Sequence, residues 1–196
     1  NYIFNEKLLG ADGKDSLWLN NSVYAFRQGK AALYGGEFSV DIHPIKPLHF
    51  ENSISLVYGD LLSAPDIKKN DSNRYLPFIT PVHGLSELKY DFKNQQLHLV
   101  NGFVKVEAAW YATQNRVFLE GNTETPTAGY TLINVGAGAG FTNKKNRTVV
   151  NIYLMANNLF DIAYQDHLSR LKYFEPYPDD PRPYHGIYNM GRNVSL

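Results

Sequence analysis

The densest group of side chains able to do chemistry lies late in the chain. Tyr164-Gln165-Asp166-His167-Leu168-Ser169-Arg170-Leu171-Lys172-Tyr173 sets a carboxylate beside an imidazole. Those two donors suit zinc or iron. Glu175, Asp179, Asp180 and His185 follow in the same polar stretch and add further candidate ligands. The competing reading is a surface loop with one exposed histidine, since neighbours in an extended chain point opposite ways. The other histidines, His43, His49, His83 and His98, fall inside strands or at their ends and read as structural or interfacial. Enzyme signatures are missing: there is no Gly-x-Ser-x-Gly, no His-Glu-x-x-His and no P-loop. Gly136-Ala137-Gly138-Ala139-Gly140 imitates a nucleotide loop, but it sits inside a predicted strand with no helix after it, which a dinucleotide site requires. Small residues there let bulky neighbours approach. The chain reads as no enzyme, with no cofactor of its own.

Composition narrows the class. The 196 residues carry 19 basic and 19 acidic side chains, so no basic surplus exists for nucleic acid. Cysteine is absent, which removes disulfides and thiolate metal sites. No apolar run reaches the roughly 20 residues of a spanning helix. Aromatics make up 14 % of the chain, fourteen of them tyrosine, while mean hydropathy is negative. A transmembrane barrel has this profile, because alternate residues face lipid and aromatic girdles mark both interfaces. A soluble all-β sandwich shares it.

The elements that position these residues are strands. Leu48, Phe50, Ile54, Leu56 and Tyr58 share one parity, and His49, Glu51, Ser53 and Ser55 the other. Phe38, Val40 and Ile42 alternate with Glu37, Ser39, Asp41 and His43. Val100, Val104, Val106, Ala108 and Trp110 alternate with Asn101, Lys105 and Glu107, and Val150, Ile152, Leu154 and Ala156 with Asn151, Tyr153 and Asn157. The spacing predicts strands over 1–9, 18–43, 48–60, 81–92, 96–112, 129–141, 148–160 and 186–196, with Gly29 and Gly35-Gly36 marking a bulge in the long second one. Short connections (44–47, 93–95, 142–146) alternate with long polar ones (61–77, 113–127, 161–185), the asymmetry of outer-membrane barrels. On that reading Phe50, Ile54, Leu56, Val150, Ile152 and Leu154 face lipid, and Glu51, Lys105, Glu107, Asn151 and Asn157 face the lumen.

Several segments carry a family resemblance. Tyr34 to Val40, with its Gly-x-Glu, resembles the strand that enters the barrel of TonB-dependent receptors, and Leu48 to Gly59 the strand after it. Leu76-Pro77-Phe78-Ile79-Thr80-Pro81-Val82-His83 is similar to their Pro-rich lead into the next strand. Gly129-Tyr130-Thr131-Leu132 matches a usual strand opening. Asn158-Leu159-Phe160-Asp161 and Gly191-Arg192-Asn193 complete the series in family order. The resemblance implies an all-β, antiparallel up-and-down transmembrane β-barrel, of which residues 1–196 form about the last eight of about 22 strands. It implies a Gram-negative outer membrane and energy-coupled uptake of a metal or metal chelate (ferric siderophore, iron or zinc). Expected partners are outer-membrane lipid, a plug domain and the TonB complex. The plug and the TonB-binding segment are not visible here, the start lacks signal-peptide features, and Leu196 stands where the family ends on an aromatic. The expectation is a C-terminal portion whose unpaired edges self-associate.

Under this resemblance Asn158, Leu159, Phe160, Asp161, Gly191, Arg192 and Asn193 are structural. Asp161 should hold its turn through nearby backbone N–H groups, and Arg192 should pack in the wall or pair with a lumen carboxylate. Asp166, His167, Arg170, Tyr173 and His185 are the candidate ligand contacts, with Asp166 and His167 the candidate metal pair. The loop resembles a variant found in metal-linked members. A ferric siderophore would instead be met by aromatic and arginine groups such as Tyr173, Tyr177, Arg182 and Tyr184, on a segment stiffened by the prolines from Pro176 to Pro183. The competing functions are a passive porin-like barrel and a soluble carbohydrate-binding module. The module requires aromatics aligned on one exposed face.

Overall fold

The computed structural model describes residues 2–8, 10–11, 14, 16–18, 21–63, 74–119, 124–173 and 186–196. Eight strands form one antiparallel sheet in the order β1 (Tyr2–Lys7), β4 (Tyr24–Ile45), β5 (Leu48–Ser63), β6 (His83–Asn94), β7 (Leu99–Tyr111), β8 (Tyr130–Thr142), β9 (Thr148–Asn157) and β10 (Asn193–Ser195). A small hairpin, β2 (Leu17–Trp18) with β3 (Asn21–Ser22), stands apart. From β4 to β10 each strand pairs with its neighbours in sequence, so the connection lengths segregate as the alternation predicts. Tight turns follow β4, β6 and β8 at one end, and long connections follow β5, β7 and β9 at the other. Among the described residues β1 and β10 are the two outer strands.

The strand limits differ from the periodicity in several places, and β5 runs on to Ser63. β4 is one strand of 22 residues, and its register shifts between Lys30 and Ala31, next to Gly29. Gly35-Gly36 runs in regular register and makes no bulge. At about 3.4 Å per residue β4 is roughly 75 Å long, more than the hydrocarbon of a bilayer. β9 stops at Asn157 instead of continuing to residue 160. The last strand is confined to Asn193–Ser195.

Register sorts the side chains onto two faces. Asp41 pairs with Glu51, Glu51 with Glu87, Glu87 with Glu107, and Glu107 with Asn134. Like charges in one row need a cation, and Lys105 supplies it. Its Nζ lies 2.7 Å from Glu87 and 3.4 Å from Glu107, whose other oxygen accepts from Asn134 Nδ2 at 2.7 Å. One residue along, Ile42 pairs with Phe50, Phe50 with Leu88, Leu88 with Val106, and Val106 with Val135. This apolar face is uncovered: Phe38, Ile42, Phe50, Leu88, Val104, Val106, Ile152 and Leu154 are all exposed. A soluble sheet buries such a face to remove it from water. Here the buried apolar cluster is Leu61 at the end of β5 with Leu76 and Phe118 from the long connections.

The glycine run is a packing device. A Cβ on Gly136 would lie 2.5 Å from Met155 Sδ, and one on Gly138 would lie 2.6 Å from the Tyr153 ring and 2.7 Å from Phe103. β8 thus admits large side chains from both neighbouring strands, and no nucleotide loop is formed.

The two sequence segments that open and close the last long connection meet. Asn158 (φ +50°) and Asp161 (φ +56°) are left-handed, which ends β9. Asn158 holds the turn, accepting from Ile162 N–H and donating to Ile162 C=O, each at 2.9 Å, while its own N–H donates to Asn134 Oδ1 at 2.9 Å. Asp161 does not bind the local backbone as expected from sequence. Its Oδ1 accepts from Arg192 N–H, 2.8 Å away across the connection, beside Gly191. The Arg192 side chain donates to Leu159 C=O at 3.4 Å and pairs with no carboxylate among the described residues. Asn157 Nδ2 donates to Asn193 Oδ1 at 3.2 Å. Asn158→Ala removes the buried amide and strains a left-handed residue, so a loss of about 2–3 kcal/mol is expected. Equilibrium urea unfolding measures it, and Asn158→Gly should recover the backbone part only.

Candidate functional site

The long-loop end is assembled from three connections and the ends of four strands. Asp60, on β5, is its first hub. Arg116 Nη2 donates to both Asp60 oxygens at 3.1 and 3.3 Å, Arg74 Nε donates at 3.4 Å, and Tyr34 OH donates at 3.0 Å. The Arg116 guanidinium lies over two rings, 4.8 Å from the Tyr58 centroid and 4.5 Å from that of Tyr75. Beneath them Leu61, Leu76 and Phe118 are buried, with Tyr2, Ala31 and Ile79 against them.

Glu124 is the second hub and is 1 % exposed. One oxygen accepts from Phe78 N–H at 3.0 Å, and the other from Phe118 N–H at 2.6 Å. His167 Nε2 lies 2.7 Å from the first oxygen. A carboxylate only accepts, so Nε2 carries the proton. His167 Nδ1 lies 2.6 Å from Thr127 Oγ1, and Lys172 Nζ donates to that hydroxyl and to Thr125 and Pro126 C=O. Thr127 Oγ1 thus accepts from Lys172 and is bonded to His167 Nδ1. The run Lys172–Thr127–His167–Glu124 joins the connections after β7 and β9, and the Phe78 N–H on Glu124 ties in the one after β5. Burial lowers the Lys172 ammonium to about 8, opposed by the negative Glu124.

The histidine at the centre of the sequence argument is therefore buried, at 1 % exposure, and is not an exposed loop residue. Both of its ring nitrogens are in hydrogen bonds, so a metal on His167 would have to displace Thr127 or Glu124. Asp166 belongs to a separate set. Its Oδ1 accepts from Leu168 N–H at 2.8 Å and its Oδ2 from Tyr130 OH at 3.1 Å.

Asp166 ends an aromatic row on the polar-parity side of the sheet. His83 stacks on Tyr111 (centroids 5.3 Å apart), Tyr111 on Tyr130 (4.7 Å), and Tyr130 meets Tyr164 at 4.5 Å. Burial, and next the Asp166 charge, raise the Tyr164 phenol. A groove of about 430 Å³ adjoins this row, lined by Glu37, Ser39, Ser55, His83 and Tyr111 among others. Arg170 is exposed in the 3-10 turn at Arg170–Tyr173. The Tyr173 side chain and Glu175, Tyr177, Asp179, Asp180, Arg182, Tyr184, His185 and the proline run lie outside the described residues.

With this geometry in view, the chain can be set against known proteins. It is similar in structure to a solved protein titled "Copper transporter OprC", with a TM-score of 0.72. The sheet is β-barrel wall. The superposition covers 98 % of this chain and 26 % of that one at 17 % identity, so the likeness is one of fold. No family model matches the sequence, and no curated protein matches it. Among the described residues no helix is long and apolar enough to cross a membrane, which says nothing of a strand-built wall.

The sequence reading found Asp166 and His167 but missed Glu124, Asp60, Arg116, Thr127 and the tyrosine row. Tyr111 and Tyr130 carried a signal, because each ends a strand at the long-loop side. Glu124 carried none, since its partners Phe78 and His167 are 46 and 43 residues away.

Proposed function

We propose that this chain is wall and loop cluster of a TonB-dependent outer-membrane receptor that takes up a metal or metal chelate. The observation that carries the reading is the uncovered apolar face, whose strands end in a knitted layer of long connections on one side only. Hydrocarbon is the medium in which Leu88, Val106 and Leu154 gain by exposure, and a closed wall leaves no backbone group unpaired there. Aromatics frame the band: Trp110 packs over Gly84 toward the loop end, and Phe50, Tyr90 and Phe92 stand toward the turns. Gly84 and Phe92 are eight positions apart on β6, roughly 27 Å of strand, which when tilted suits the apolar height of such barrels.

Residues 1–196 would then be the last third of the wall, with β1 and β10 continuing into strands of the same barrel. The solved neighbour's title names copper, so copper joins iron and zinc among the cargo to test. Asp166, Tyr130 and Tyr164, with Arg170 above them, are the proposed contacts. His167 holds the loop that presents Asp166, and His185 and Tyr173 remain proposed contacts on the same connection. The role is transport rather than catalysis, and the plug and TonB complex are the partners.

The test is uptake. Cells carrying the intact gene should accumulate labelled copper, iron or zinc, and collapse of the proton-motive force should abolish that accumulation. Uptake that survives collapse overturns the reading in favour of a passive barrel. Recovery of the protein in the soluble fraction overturns it in favour of a carbohydrate-binding module.

A further inference from the structure

We propose a second metal site, for a divalent transition ion, at the opposite end of the sheet, formed by Asp41, His43 and His49. The β4–β5 hairpin creates it. Asp41 and His43 are two apart on β4 and share a face, and His49 stands on β5 next to Phe50, the partner of Ile42, where the register shift between Ile42 and Ile45 begins. The two imidazoles meet edge to face, with centroids 4.4 Å apart at 76°. His43 Nε2 lies 3.5 Å from Asp41 Oδ2. One donor atom from each of the three residues fits within 4.8 Å of the others.

Three donors at about 2.1 Å from one ion stand about 3.4 Å apart in a tetrahedral set. Closing the cluster thus takes roughly an ångström of side-chain rotation. There is room for it, because the Asp41 and His43 side chains are 44 % and 46 % exposed. A second carboxylate backs the cluster: Asp91 Oδ2 lies 3.0 Å from His49 Nε2 and is itself fixed by Lys89 at 2.9 Å. A ligating histidine usually gives its other N–H to such a group, which orients the ring and raises its basicity. Two imidazoles and one carboxylate favour Zn²⁺ or Cu²⁺ over Ca²⁺ or Mg²⁺, which want oxygen shells. The fourth position is left to water or to a group from a partner. The site lies at the short-turn rim, so it is independent of whatever meets the loops and does not rest on the transport reading.

The experiment is equilibrium dialysis of the full chain in detergent against Zn²⁺, with Ca²⁺ as comparison. The expected result is one Zn²⁺ bound through the hairpin. That Zn²⁺ should be lost in His43→Ala and in His49→Ala, weakened about 10- to 100-fold in Asp91→Asn, and retained in His98→Asn, a rim histidine outside the cluster. Circular dichroism of each variant should match the parent, since these side chains sit at an exposed turn. If either histidine variant keeps the ion as tightly as the parent, if the parent binds none, or if Ca²⁺ binds equally well, the proposal fails.

Discussion

Glu124→Ala is expected to release the loop layer while leaving the wall paired. The carboxylate is buried and accepts from two backbone N–H groups, those of Phe78 and Phe118, as well as from His167. Alanine leaves three donors without this acceptor in a place water does not reach. Removing one partner of a buried ionic set costs about 3–5 kcal/mol, which corresponds to a fall in amide protection of about 10²-fold to several thousand-fold. The fall should appear at Phe78 and Phe118 by hydrogen exchange, because local opening now exposes them. Amides of β6, β7 and β8 should keep their protection, since their ladders do not involve Glu124. Glu124→Gln retains one acceptor oxygen and should lose less. Protection at Phe78 and Phe118 that is unchanged in the alanine variant would show that the apolar cluster under Arg116, not the carboxylate, fixes the loops. The effect bears on function because the same network holds His167, the chain neighbour of Asp166 at the end of the tyrosine row. Loose loops would weaken any ligand contact there without altering the wall.

The contrast between wall and loop layer also explains what the sequence could reveal. A strand pattern is local. Phe50, Ile54 and Leu56 against Glu51, Ser53 and Ser55 state both the period and the two faces within nine residues. Parity then carries across the ladder, and the row from Asp41 to Asn134 follows from the pairing of adjacent strands. Connection lengths are equally local, so the segregation of turns from loops was legible. The loop layer is made of contacts that no local rule contains. Asp60 gathers Arg74 and Arg116 from two connections, and Arg116 is 56 residues further along the chain. His167 looked like a ligand because histidine beside aspartate in a polar stretch usually faces water. Its burial depends on Glu124 and Thr127, which enter from another loop. Asp161 shows the same limit on a small scale: its residue type signals a turn, but the N–H it binds is that of Arg192, 31 residues away. His43 and His49 illustrate the reverse case. Each alone reads as structural, and only the folded hairpin brings the two rings together, edge to face.

Val106→Arg is the substitution that separates a membrane wall from a soluble sheet. Val106 lies mid-strand in β7 on the apolar face, between Leu88 on β6 and Val135 on β8, and it is 41 % exposed. If that exposure is to hydrocarbon, a guanidinium there must be dragged toward an interface or hydrated through a defect, at about 2–4 kcal/mol for a midplane position. If the exposure is to water, arginine replaces a small apolar group on an open surface and stability changes by only about 0.5 kcal/mol. Ser53→Arg, on the polar face of β5 opposite Leu85, is the internal control. It adds the same charge among Glu37, Glu51 and Glu87 and should be nearly neutral in either medium. Reversible urea unfolding in lipid vesicles measures both. The expected outcome is a loss of about 2–4 kcal/mol for Val106→Arg and little for Ser53→Arg. Equal, small effects would mean that the apolar face meets something other than lipid. The asymmetry between the two variants carries the argument, because a general loss of folding would strike both. It also tests the register directly: a slip of one residue would exchange the faces, and the penalty would move from Val106 to Ser53.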